Sequence, residues 1–294
     1  MFPQHWDVAQ QQIYLFFTLI SVTWGACIGS FLNVCIYRIP RELSVVAPRS
    51  FCPICEKPIP WYLNMPLLSY ILLRGRCHYC RQPFTARYLL VEALTALLFL
   101  LIWLQYPLFG IQVPLGLIPL SSPWLVPVYW VFIAGLILGT FVDFEHLIIP
   151  DRVTLGGIIA GWILSALLPV MHGAEGAWAG FQASVLGSGT GWFMLWGVAI
   201  IGRWIFKKEA MGFGDVKLLG AIGAFLGWQA VIFSIVISSF AGSIVGISLI
   251  ALRKRGLQSR IPYGPYLALA ALIWIYWGPR IIDWYLNLLR PAGI

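Results

Sequence analysis

Apolar residues in this chain come in long runs, not in strict alternation. Eight runs, at about 13–37, 88–105, 124–143, 153–170, 181–203, 214–229, 231–252 and 263–285, approach the length an α-helix needs to cross a bilayer, about 17–25 residues. Between the first two lies the one long polar segment, Arg38–Arg87, which reads as a small extramembrane domain. The other connections are short. The start, MFPQHWDVAQQQ, lacks the basic region and small-residue cleavage site of a signal peptide, so the first run is expected to be a retained helix. The pattern predicts an all-α polytopic membrane protein of about eight transmembrane helices.

Composition agrees. Of 294 residues 60% are hydrophobic and 10% charged, whereas soluble domains carry about 25% charged residues. Charge placement adds an orientation. With eight spans, the loops on the polar segment's side hold Arg152, Arg203, Lys207, Lys208, Lys217, Arg253, Lys254, Arg255 and Arg260. Together with the segment itself they account for all but Arg280 and Arg290 of the nineteen Lys and Arg. The positive-inside rule makes that side cytoplasmic. Topology thus explains the net charge of +8 without a nucleic-acid partner. Trp and Tyr near the predicted helix ends read as interfacial belts.

The polar segment carries Cys52–Cys55 and Cys77–Cys80, two C-x2-C pairs separated by twenty-one residues. Four thiolates on paired knuckles suit a tetrahedral zinc site. An iron–sulfur cluster or a redox pair uses the same residues, and two disulfides are disfavoured in a reducing compartment. About fifty residues hold too little core to fold alone, so a metal would supply the missing stability. His78 reads as a solvated loop residue, and Cys27 and Cys35 as small packing residues.

Two aspartates stand against apolar helices, where a charge at mid-membrane costs about 2.5–3.5 kcal/mol on insertion scales. Asp143 closes the third run four and eight residues after Gly139 and Gly135, so it shares their close-packing face. Asp215 opens the sixth run after Gly212 and Gly214, ahead of a seam of Gly223 and Gly227. The topology puts both at the cytoplasmic helix ends, at one depth. A pair of carboxylates there can share a proton and activate water; equally, Asp215 can be an N-cap and Asp143 a solvated end residue. Lys217 would orient or neutralise Asp215. Asp151 reads as the N-cap of the fourth span, Glu145 and His146 as solvated. Glu92, inside the second span, would pair with a base such as Arg87 or face a polar cavity. Gly25, Gly29 and Asn33 share a face of the first span, with Asn33 in a buried hydrogen bond.

The ordered set GSFLNVCIYRIP (29–40), CPIC, NMPLLSYILLRGRCHYC (64–80), RYLLVEALTA (87–96), VDFEHLIIPD (142–151), MGFGDVKLL (211–219) and PYGPYLA (262–268) resembles the type IV prepilin peptidases. These are bifunctional membrane enzymes of pilus and type II secretion systems with the G-x-G-D signature of intramembrane aspartic peptidases. The resemblance implies Asp143 and Asp215 as the catalytic pair and zinc on Cys52, Cys55, Cys77 and Cys80. It implies prepilins and pseudopilins as substrates, cut after a glycine behind a basic leader on the cytoplasmic face of the bacterial inner membrane. It also implies methylation of the new N-terminal amine with S-adenosylmethionine. The expected division is a first helix at 1–37, a four-cysteine zinc domain at 38–87 and a lipid-embedded peptidase core at 88–294. A transporter or channel with a proton-relaying carboxylate pair is the alternative. It would place its acids near the midplane rather than at helix ends.

Overall fold

The computed structural model describes residues 7–52, 54–105, 122–207, 211–252 and 262–289. Its helices are α1 (Val8–Arg38), α2 (Leu68–Leu72), α3 (Arg87–Gln105), α4 (Leu125–His146), α5 (Asp151–Leu167), α6 (Ala177–Phe206), α7 (Phe213–Ala251) and α8 (Gly264–Leu289). Among the described residues β-structure is limited to two isolated bridges, Phe51–Pro58 and Arg76–Pro83.

All eight expected apolar runs are helical. Helices α1, α3, α4, α6 and α7 are long and apolar enough to cross a bilayer, and α8, bent by 72° between Gly278 and Arg280, makes a sixth if taken as one span. The expected eight also counts α5, which has only 17 residues, and divides α7 in two. The expected division lies at residue 230; the helix breaks three residues earlier, at Gly227, whose φ of 82° and ψ of 174° are not helical. A Cβ on Gly223 would lie 2.9 Å from Val231 across this break. Eight residues of straight helix would separate them by about 12 Å, so the chain folds back on itself at Gly227. In the most apolar stretches of α1, α6 and α7 no more than 28% of residues are buried. Their remaining faces carry side chains such as Phe16, Leu19, Trp204 and Phe240 outward. A bilayer, not water, is the solvent such faces require, and the chain is a multi-pass membrane protein. Helices also outrun their apolar cores: a capping box in which Asp7 and Gln10 exchange hydrogen bonds starts α1 five residues before its apolar run.

The chain forms two compact units, Met1–Leu138 and Gly139–Ile294. In the first, α1 and α3 pack antiparallel through the small face of α1. A Cβ on Gly25 would lie 2.8 Å from the Ala96 Cα, and one on Gly29 would lie 2.7 Å from the Glu92 Cα. One turn further on, Asn33 Nδ2 donates to the Tyr88 carbonyl at 3.1 Å. Trp130 stacks on Phe99 with centroids 5.0 Å apart and donates its indole N–H to the Phe99 carbonyl. Within 39–86 the only buried described residues are Cys52, Gly75 and Cys77, so this segment has almost no apolar core.

In the second unit the seams are again glycines. A Cβ on Gly187 of α6 or Gly223 of α7 would collide with the other's carbonyl, and Gly191 stands equally close to the Leu219 carbonyl. Beside that seam, a Cβ on Gly161 of α5 would lie 2.7 Å from the Ala224 Cβ. Ser184 Oγ donates to the Ala224 carbonyl at 2.7 Å. Beyond the break, Ser238 and Tyr263 hydrogen-bond at 2.6 Å and Phe233 packs on Trp274, tying α7 to α8.

The break predicts a separable backbone effect. A Cβ on Gly227 would meet nothing closer than 3.5 Å, yet its φ lies where side chains are disfavoured. Gly227→Ala should therefore destabilise by about 1–3 kcal/mol through backbone strain alone. Gly156→Ala, in a helix with open space around it, should be neutral or stabilise by up to about 1 kcal/mol. Thermal unfolding of the two variants in detergent compares them directly; equal melting temperatures would mean the break does not need glycine.

Candidate functional site

Three helix ends converge in the second unit. Asp143 lies in the last turn of α4 and is 5% exposed; Asp215 is the third residue of α7 and is 8% exposed. Asp143 lies near enough for its charge to act on Asp215. Ile149, in the short link from α4 to α5, is what gathers them. Its side chain lies 3.5 Å from where a Cβ on Gly139 would stand, 3.3 Å from one on Gly214 and 2.9 Å from one on Gly264. Glycine at 214 thus lets the start of α7 seat on Ile149. Glycine at 212 leaves room for the carboxylate, since its Cβ would lie 3.3 Å from Asp215 Oδ2. Both glycines of the G-x-G-D stretch have a packing reason.

The first amide of α8 completes the site. Gly264 N donates to Asp143 Oδ2 at 3.0 Å, using one of the N–H groups a helix start leaves free. A Cβ at 264 would stand 2.8 Å from the same oxygen. Within PYGPYLA the sequence reading gives Gly264 no role. Its usable signal was a Gly-Pro at the head of an apolar run, a helix start whose amide is free to meet an anion.

Neighbouring polar residues depart from expectation. Lys217 does not attend Asp215: its Nζ lies 2.6 Å from Asp151 Oδ1 and 5.3 Å from the Phe213 ring centroid. Asp151 is not an N-cap; that position is Pro150, and Asp151 occupies the first turn of α5. Glu145 is exposed as expected, but the Nε2 of His146, the last residue of α4, is buried without a hydrogen-bond partner. Glu92 faces a cavity, as one of its two expectations had it, and accepts from the Leu67 amide at 2.7 Å. His78 is exposed.

The four cysteines form the second candidate site. Their sulfurs all lie within 4.8 Å of one another, with Cys52–Cys80 at 3.8 Å and Cys55–Cys77 at 4.0 Å. Four sulfurs about 2.3 Å from a tetrahedral ion would stand about 3.8 Å apart, whereas a disulfide needs about 2.05 Å. All four are free thiols, so the cluster is suited to a metal ion. The two knuckles repeat each other. Cys52 N donates to the Lys57 carbonyl and Cys77 N to that of Gln82, and the residue after each second cysteine, Glu56 or Arg81, has a positive φ. The thiols titrate together: against the Gln82 amide, burial and the neighbouring thiols push Cys80 up to about 11, while burial pushes Cys77 up but the Cys80 and Tyr79 amides and the Cys52 and Cys80 thiols bring it down to about 7. A thiol that ionises near neutrality is ready to ligate.

Two family models match the chain: the Bacterial Peptidase A24 N-terminal domain over residues 23–106 and the Type IV leader peptidase family over residues 130–247. The chain is 37% identical to the prepilin leader peptidase/N-methyltransferase of Aeromonas hydrophila over 313 aligned positions, covering 96% of this chain and 97% of that protein. It is 36% identical to the protein of the same name from Aeromonas salmonicida, with 96% and 97% covered, and 31% identical to that of Legionella pneumophila, with 92% and 95% covered. No solved structure matches. Likeness over nearly the whole length, together with both domain matches, means that the chain belongs to the type IV leader peptidase family, in its bacterial form with the peptidase A24 N-terminal domain.

Proposed function

We propose that this protein removes the basic leader from prepilins and pseudopilins after a glycine and then N-methylates the new terminus. In this reading Asp143 and Asp215 are the catalytic pair. The observation that carries it is the meeting of two buried carboxylates at the ends of α4 and α7, with the Gly264 amide on one of them. A bundle of apolar helices gains no stability from two adjacent acids. Acid–base chemistry on a water molecule is what such a pair can do.

One carboxylate takes a proton from water while the water oxygen bonds to the scissile carbonyl carbon. The other, protonated, gives its proton to the carbonyl oxygen. The tetrahedral diol then collapses: its hydroxyl proton returns to a carboxylate, the amide nitrogen receives a proton and the C–N bond breaks. The leader leaves with a free carboxylate and the pilin with a free amine. The Gly264 amide holds Asp143 Oδ2 and so fixes which of its oxygens faces the water. A site at helix ends admits water that a transport path at the midplane would have to conduct, so the carboxylate placement supports hydrolysis rather than a channel.

The site faces the cytoplasm of the bacterial inner membrane in this proposal, supported by the one-sided Lys and Arg distribution. Of those charges Lys208, Arg253, Lys254, Arg255, Arg260 and Arg290 lie outside the described residues. The domains are a helix at 1–37, a zinc-bearing domain at 38–87 and a peptidase core at 88–294. Cys52, Cys55, Cys77 and Cys80 would hold zinc as a cross-link between the two knuckles. The new N-terminal amine would take a methyl group from S-adenosylmethionine, whose S–CH3 bond breaks to leave S-adenosylhomocysteine, and would lose a proton to water.

Asp143→Asn and Asp215→Asn should each lower prepilin cleavage by about 10²–10⁴-fold in folded protein, read on gels of detergent-solubilised enzyme and substrate; cutting by both variants would sink the paired-acid mechanism. Gly264→Ala should lower kcat by about 10- to 100-fold with little change in KM, because it displaces a reacting group without touching the substrate; steady-state kinetics decide. The native protein should bind one zinc ion per chain by elemental analysis. Replacing all four cysteines by serine should remove the metal and depress methylation, read by mass spectrometry of the pilin N-terminus, more than cleavage. Equal loss of both activities would contradict a role confined to the polar segment.

A further inference from the structure

Asp215 sits on a helix start that its own backbone holds loosely. Gly212 and Gly214 flank Phe213, and glycine leaves the widest choice of φ and ψ. The Asp215 amide donates to the Gly212 carbonyl at 3.2 Å, which closes one turn but does not tie that turn to its surroundings. Ile149 rests on Gly214. That contact limits how closely α7 approaches the α4–α5 link. A residue without a side chain, however, offers nothing to stop the helix end from rolling about its axis.

Two side chains supply the missing stop. Phe213 meets the Trp192 ring of α6 edge-on, with centroids 5.4 Å apart. Lys217 Nζ lies 5.3 Å from the Phe213 ring centroid and 2.6 Å from Asp151 Oδ1. With 3.6 residues per turn, Lys217 points about 200° round the helix from Asp215, so it can hold the turn without approaching the carboxylate. Asp151 follows Ile149 by two residues, with Pro150 fixing φ between them. The link that leaves the helix of Asp143 therefore meets α7 twice, through Ile149 at Gly214 and through Asp151 at Lys217. Two contacts fix an angle where one does not. The Lys217 side chain is 17% exposed and that of Asp151 61%. A pair this open to solvent adds little to global stability, but little is needed to choose between nearby orientations of one helix end.

We infer that the Lys217–Asp151 ion pair positions the peptidase site: it sets the rotation of the first turn of α7 and so aims Asp215 at Asp143 and at the water they share. Both residues act through Asp215 and are positioning residues. The inference rests on the proposed catalytic role of the two aspartates and adds to it how their relative orientation is held.

Steady-state cleavage of a prepilin by the full-length protein in detergent tests this, with Lys217→Met, Asp151→Asn, the double variant and Lys217→Arg. Each single charge removal should lower kcat about tenfold, with KM and melting temperature little changed. The double variant should fall no more than about twofold below either single one, because all three lose the same contact. Lys217→Arg keeps the pair and should retain kcat within about threefold. Unchanged kcat in both single variants would overturn the inference, as would single effects that multiply to about a hundredfold in the double variant. A raised KM with unchanged kcat in Asp151→Asn would also overturn it, since the carboxylate would then be meeting the basic leader. So would melting temperatures that fall together with kcat, which would make the pair a general support. Each of these results leaves the paired-acid reading standing as long as the unaltered enzyme cuts and Asp215→Asn does not. Cutting by Asp215→Asn would overturn that reading, and the positioning role with it.

Discussion

A carboxylate held among apolar helices has few donors available to it, because every mid-helix N–H is already committed within its own helix. The free donors are the first amides of helices and the amides of irregular segments. The three buried acids Asp143, Glu92 and Asp215 all use such donors, Asp215 that of Gly212 just ahead of α7. Asp143 is met by the first amide of α8 and Glu92 by the Leu67 amide at the entry to α2. An acid can therefore be kept only where another segment begins within about 3 Å of it, and this requirement dictates much of the surrounding sequence. Gly264 must lack a side chain to approach Asp143, and Gly212 and Gly214 must lack one for Asp215 and Ile149 to share the same corner. The glycine seams of α6 and α7 set the backbone separation that lets the helix ends meet.

Much of this was legible in the sequence because its causes are local. Run length gave the helices, C-x2-C pairs gave the tetrad, and the four-residue spacing of Gly25, Gly29 and Asn33 gave the packing face of α1, which the register against Ala96, Glu92 and Tyr88 bears out. What was not legible depends on partners distant in the chain. Lys217 lies two residues from Asp215, yet its charge is taken by Asp151, sixty-six residues away in sequence. Gly227 read as the next step of a packing seam, although its backbone turns the chain back. A glycine looks the same in sequence whether it is needed for its missing side chain or for its φ. Asp151 followed the N-cap preference, but Pro150, pre-set for extended backbone, took that position.

The polar segment shows the opposite balance of forces. Cys52, Gly75 and Cys77 are its only buried described residues between 39 and 86, so the sulfur cluster itself occupies the place of a core. Hydrogen bonds within each knuckle and the Arg38 links to Ser44 and Pro48 shape the backbone, but little apolar area holds the two knuckles to each other. A metal shared by both would. The same segment supplies Tyr70 and Arg76 to the wall of the Glu92 cavity, and Gly75, with φ of 65°, turns tightly against the Tyr70 ring. The shape of that cavity is then conditional on the knuckles being joined. The aspartate pair depends instead on glycine contacts within 139–264, none of which involves a cysteine. One chain can in this way carry two chemistries with different sensitivities: one site held by backbone-to-backbone packing among helices, the other by four thiolates and whatever ion they share.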